Sequence, residues 1–187
     1  MTRFTAPIAE QIWNGKYRFK EADGTPIDQT VEDTWDRIAT SLSLAEKDEF
    51  MDRNRPYTYR ENYKERFYSA LEDFKYLPAG RITAGAGTAR SVTLFNCFVM
   101  GTVPDSMGGI FDMLKEAALT MQQGGGIGYD FSTIRPKGAI VEGVVSDASG
   151  PLSFMDCWDA MCRTIMSAGA RRGAMMATMR CDHPDIL

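Results

Sequence analysis

The segment from Val92 to Met179 alternates β-leaning apolar runs with helical ones, and small-residue breaks separate them; this order constrains the fold more than any other feature of the chain. Val92 to Val99 is apolar and rich in β-formers, so it reads as a strand. Asp105-Ser106 offers a helix cap, and Met107 to Gln122 follows with helical spacing up to a stop at Gly124-Gly125-Gly126. Ile127 to Phe131 is a second short strand. Beyond a loop over Arg135 to Ala148, Pro151 suits the first turn of a helix reaching Met166. A small-residue loop, Ser167 to Gly173, then leads into a strand-like Ala174 to Met179. Strand, helix, strand, loop, helix, loop, strand is an α/β crossover order.

The first 77 residues have a different period. Thr30 can cap a helix over Thr30 to Leu42, which carries acids in its first turn and has Val31, Trp35, Ile38, Ala39 and Leu42 at helical spacing. Glu61 to Tyr76 repeats the pattern with Tyr63, Phe67, Leu71 and Phe74, while Pro26 and Pro56 fall in loops. The expected class is α+β: a helical domain over 1–77, then a partial α/β domain over 78–187 that opens at Pro78-Ala79-Gly80-Arg81.

Composition bounds what such a chain can do. With 44% apolar and 25% charged residues it is an ordinary globular sequence. A net charge of −4 argues against general affinity for nucleic-acid backbones, though not against a local phosphate site. No run of about 18 apolar residues suggests a membrane span, and Met1 to Gln11 has no secretory apolar region. Four cysteines without a CxxC pair, and a single histidine, His183, give no disulfide framework and little support for zinc. A reducing cytoplasm is the expected compartment.

Several motifs admit two readings. Gln123 to Gly128 follows a helix and precedes a strand, the reverse of a dinucleotide fingerprint. Its glycines suit a helix stop with a tight turn, or a backbone brought close to a ligand. Ser167 to Gly173 is either a solvated turn or a nucleotide-reading loop, because Arg171 and Arg172 can stack on a base or fork onto phosphate. Cys97, inside an apolar run, reads by its own neighbourhood as a small buried residue. Cys157 and Cys162 sit among Met155, Met161 and Met166 and read as packing. Cys181-Asp182-His183 lacks a third metal ligand.

In order, Leu94-Phe95-Asn96-Cys97, Asp105-Ser106, Gly124 to Gly128, Ile134-Arg135-Pro136-Lys137-Gly138, Ser149-Gly150-Pro151, Gly169 to Ala174 and His183-Pro184 resemble the large-subunit fold of ribonucleotide reductases. The likeness is close from Pro78 onward and loose before it. Pro78 to Arg81 and Arg135 to Gly138 resemble the adenosylcobalamin-dependent class. The resemblance implies an incomplete barrel in which Cys97 is the first-strand cysteine that reduces the ribose as half of a redox pair. Asn96, Ala79, Gly80, Gly125 and Gly126 match positions around the substrate, and Arg172 matches the contact to its base. Asp105, Ser106, Arg135 and Lys137 match the site for a deoxynucleotide effector. Helices 107–122 and 151–166 match those that pair across a homodimer. The radical cysteine, the partner of Cys97 and the acid–base Asn and Glu lie further along the family's chain, so this chain is expected to act only with the remaining reductase polypeptide and adenosylcobalamin. The alternatives are a non-enzymatic deoxynucleotide-binding regulatory module and a degenerate remnant.

Overall fold

The computed structural model describes residues 3–46, 59–141, 143, 146–165 and 173–187. The chain divides into two compact units, Met1–Leu94 and Phe95–Leu187.

The first unit is helical. Helix α1 (Pro7–Ile12) runs into a π-helical turn at Trp13–Tyr17, followed by α2 (Val31–Ser43), α3 (Tyr59–Leu71), a short turn at Glu72–Phe74 and α4 (Gly80–Gly85). Helix α2 starts where its cap predicts: the Thr30 hydroxyl accepts from the Asp33 amide at 3.4 Å, and the Asp33 carboxylate accepts from the Thr30 amide at 2.7 Å. Its apolar stripe of Val31, Trp35 and Ile38 joins Trp13, Leu71 and Ala86 in the core. Helix α3 ends at Leu71 and not at Tyr76, because Asp73 and Phe74 take left-handed φ values of 55° and 57°. That turn sets the Phe74 ring 5.2 Å from Trp35 and 5.4 Å from Phe4.

The expected boundary at residue 78 is corrected. Residues 78–94 fold with the helical unit because Ala86 is buried in its core and Leu94 packs against that core. Arg37 also donates to the carbonyls of Thr83, at 3.2 Å, and Ala86.

The second unit is an open α/β layer. Strand β1 (Cys97–Thr102), helix α5 (Met107–Gln122), strand β2 (Gly126–Asp130), helix α6 (Pro151–Thr164) and strand β3 (Met175–Thr178) follow in order. All neighbouring strands are parallel, in the order β1-β2-β3. Strand β1 begins five residues later than the apolar run suggests, since it pairs only alongside β2, from Cys97↔Gly126 to Thr102↔Asp130. Helix α5 has the expected bounds, with the Ser106 hydroxyl accepting from the Gly109 amide at 3.2 Å. The core holds Val103, Ile110, Met121, Ile127, Phe131 and Trp158, with Trp158 edge-on to Tyr129 and Phe131. Cys157, Cys162, Met155 and Met161 pack against it, which is the packing role their spacing suggests.

Helices cover one face of this sheet. Phe98, Ile127 and Met175 are register partners on the covered side, and Met175 packs on the core. Cys97 with Gly126, and Val99 with Gly128 and Met176, fall on the other side, where Val99 is 98% exposed. No helix among the described residues is long and apolar enough to cross a membrane.

Candidate functional site

Cys97 is exposed, which corrects the buried reading of its neighbourhood. Alternation along a strand says which residues share a face, but not which face is covered. Cys97 lies on the uncovered one. Gly126 stands opposite it, and the Gly126 amide donates to the Asn96 carbonyl at 2.9 Å. A Cβ on Gly126 would come 3.1 Å from the Cys97 sulfur, and one on Gly125 would come 2.7 Å from the Phe98 ring. The glycine run is therefore both a helix stop and a close approach, and what it approaches is the Cys97 sulfur and the Phe98 ring of this unit's own β1. Because β2 presents Gly126 and Gly128 on the uncovered side, the thiol adjoins a floor of bare backbone.

At the far end of the same strands, Thr102 pairs with Asp130. Hydrogen bonds from the Ser132 hydroxyl, the Ser132 amide and Thr102 hold the Asp130 carboxyl below the usual carboxylate range. Sequence reading missed this group, whose only signal was its place at the end of the second strand.

The second constellation joins two helix starts. Asp105 accepts from the Arg135 Nε at 2.9 Å and from the Arg135 backbone amide at 3.2 Å. Arg135 Nη1 also donates to the Ile140 carbonyl at 3.4 Å. Asp105 and Arg135 line a cavity of about 300 Å³ together with Ser106 and Met107, at the start of α5, and Ser149 and Gly150, at the start of α6. The α6 start has no side-chain cap. Two helix N-termini and the Arg135 guanidinium meet the carboxylates of Asp105 and Asp147 around one cavity, so donors and acceptors of both signs line it. Asp105, Ser106 and Arg135 are thus brought together. Lys137 is not among the cavity's lining residues, and its backbone amide donates to Asp185 at 2.8 Å.

The remaining candidates are dispersed. Ala79 and Gly80 lie in the helical unit, where a Cβ on Gly80 would meet the Tyr17 hydroxyl at 3.3 Å. Arg172 and its loop fall outside the described residues. No group of three His, Cys, Asp or Glu able to hold a metal occurs among the described residues. Asp182 instead pairs with Arg180 through two hydrogen bonds of 2.8 and 2.6 Å, which lower its carboxyl from the usual range. His183 has both ring nitrogens engaged within the fold, a role that no local pattern predicts.

Comparison with known proteins places both units. Residues 3–91 match the family model described as the ribonucleotide reductase all-alpha domain, and residues 95–187 match that of the ribonucleotide reductase barrel domain. A vitamin B12-dependent ribonucleoside-diphosphate reductase from Mycobacterium tuberculosis is 36% identical over 178 residues, covering 95% of this chain and 24% of that protein. One from Thermoplasma acidophilum is 34% identical over 182 residues, covering 97% of this chain and 21% of that protein. A ribonucleoside-diphosphate reductase subunit alpha from Helicobacter pylori is 33% identical over 121 residues, covering 65% and 15%. The chain thus spans a quarter or less of the length of these relatives.

Proposed function

Because the chain belongs to the large-subunit family of ribonucleotide reductases, we propose that it supplies such an enzyme with the reducing cysteine of the first barrel strand and with a regulatory nucleotide pocket. The enzyme converts ribonucleotides to deoxyribonucleotides, and the names of the relatives favour a ribonucleoside diphosphate as substrate. The observation that carries the reading is the exposed Cys97 thiol beside the bare backbone of Gly126 and Gly128.

The chemistry requires two thiols. A ribonucleotide and two thiols yield a deoxyribonucleotide, a disulfide and water: the 2′ C–O bond breaks, the oxygen leaves as water, and one S–S bond forms. Cys97 is one thiol; the other comes from the family's further barrel strands. Asn96 adjoins the sugar, and the backbone of Gly125 and Gly126 approaches the nucleotide. Arg172 meets the substrate base.

Adenosylcobalamin, whose bound form supplies radical chemistry, belongs to the complete enzyme by the names of the relatives. Its site belongs to the remaining length of the family's chain, outside the residues described here.

The pocket of Asp105, Ser106 and Arg135 takes a deoxynucleoside triphosphate effector, with its phosphates toward Arg135 and the two helix starts and Lys137 nearby. Met107, Phe111, Leu119 and Leu152 expose apolar surface on α5 and α6, which supports a homodimer built through these helices. Four free cysteines suit a reducing cytoplasm.

The decisive experiment mixes this chain with a polypeptide carrying the rest of the family's length, adenosylcobalamin and a ribonucleoside diphosphate. Deoxynucleotide should form, and Cys97→Ser should abolish it. Equal turnover by Cys97→Ser refutes the redox role. Effector binding without any turnover leaves a regulatory module in its place.

A further inference from the structure

His183 stands in the turn after β3 and is 7% exposed. Its Nδ1 accepts the Asp185 amide at 3.1 Å, so that nitrogen carries a lone pair and the ring proton sits on Nε2. Nε2 then donates to the Ile134 carbonyl at 2.9 Å. The neutral imidazole is thereby satisfied at both ends in one tautomer. Two residues on, the Asp185 carboxylate accepts the Lys137 amide at 2.8 Å. Ile134 and Lys137 bracket Arg135, the cation of the pocket.

The same turn also bears on the start of α6. Gly150 precedes that helix at a φ of +81°, and a Cβ there would stand 2.6 Å from an Asp185 carboxylate oxygen and 2.9 Å from the Lys137 amide nitrogen. Asp185 thus fills the space between the Arg135 segment and the α6 N-terminus. Upstream, the Arg180 amide donates to the Ser132 hydroxyl at 2.9 Å and the Phe131 amide to the Thr178 carbonyl at 2.9 Å. A continuous seam therefore runs from the end of β3 to the wall of the pocket.

We infer that His183 and Asp185 are positioning residues for the pocket, holding Arg135 and the start of α6 in place. The inference rests on the nucleotide reading of that pocket. Loss of the imidazole removes the contacts to the Ile134 carbonyl and the Asp185 amide together, and with them the carboxylate that anchors the Lys137 amide.

The test uses the full chain with two readouts. Calorimetric titration with dATP, dGTP and dTTP measures the pocket, and amide exchange across 134–138 measures the seam. His183→Ala and Asp185→Ala should weaken binding at least about fivefold and speed exchange at Lys137, with the helical content retained. His183→Asn can keep the turn contact to the Asp185 amide, so it should restore most of the affinity that His183→Ala loses. A natural chain that binds none of the three nucleotides overturns the reading of the pocket, and the exchange data then decide the seam on their own. Nucleotide binding and exchange that are both unchanged in His183→Ala and Asp185→Ala overturn the positioning role.

Discussion

Arg37 with Asp28 in the helical unit and Arg135 with Asp105 in the sheet unit are both held at 2.9 Å, and the two pairs live in different surroundings. In the helical unit, Asp28 and Arg37 have side chains only 3% and 9% exposed. Asp28 there also takes hydrogen bonds from the Thr34 hydroxyl at 2.7 Å and the Phe19 amide at 3.2 Å. In the sheet unit, Asp105 and Arg135 are 33% and 35% exposed and border a cavity. The buried pair fixes a loop between two helices and has no spare valence. The half-exposed pair keeps donors available for something else, at little cost to the fold. Identical chemistry is structural in one setting and open to a ligand in the other, and burial decides which.

The largest expected effect breaks the buried pair. Arg37→Met leaves Asp28 charged and enclosed, and should cost about 3–5 kcal/mol in urea unfolding of the helical unit. A loss below about 1 kcal/mol would mean that water reaches Asp28. Next come the two faces of the sheet. Gly125→Ala drives a methyl into the Phe98 ring and should cost about 1–3 kcal/mol. Gly128→Ala, whose Cβ would find its nearest neighbours at 3.9 and 4.0 Å, should change stability by about 0.5 kcal/mol or less. Equal effects at the two glycines would erase the distinction between covered and uncovered faces.

Tyr129 tests how dry the covered side is. Burial first, and the nearby Glu116 charge second, push its hydroxyl up to about 12. The folded state therefore favours the neutral phenol. Its contribution is complete below about pH 10, the unfolded value, and fades as the pH rises toward about 12. Tyr129→Phe should flatten that alkaline decline and cost about 0.5–1.5 kcal/mol at neutral pH through the lost bond to the Met113 carbonyl. The smallest effect is on the exposed pair: Arg135→Met should alter stability by about 0–1 kcal/mol yet abolish the binding of dATP, dGTP and dTTP. A large stability loss would make Arg135 structural after all.

Local signals suffice where the structure they specify is local. The Thr30 cap, the Trp35 and Ile38 stripe and the Ser106 start of α5 are each written within a few residues. What stayed hidden depends on distant partners. Val92 and Leu94 look like strand residues until Gly85 is there to pack beneath them. Cys97 looked buried because alternation cannot tell a covered face from a bare one. His183 meets a carbonyl 49 residues away, and no spacing rule reaches that far. The cysteine's family role was legible only from the order of several weak motifs, since its own neighbours suggest packing.

The register of β1 shifts between Val99 and Gly101, so that Val99 faces Gly128 while Gly101 already faces Tyr129. One residue, Met100, is absorbed in the step, and it packs against the core. Upstream of the step the odd-numbered residues look out from the helices; downstream it is Thr102 that does. The step works as a frameshift in the side-chain pattern: strict alternation over all six residues would turn Thr102 under the helices, whereas the step keeps it opposite Asp130 on the uncovered face. A single added residue thus allows one strand to present sulfur at its first position and a hydroxyl at its last on the same surface.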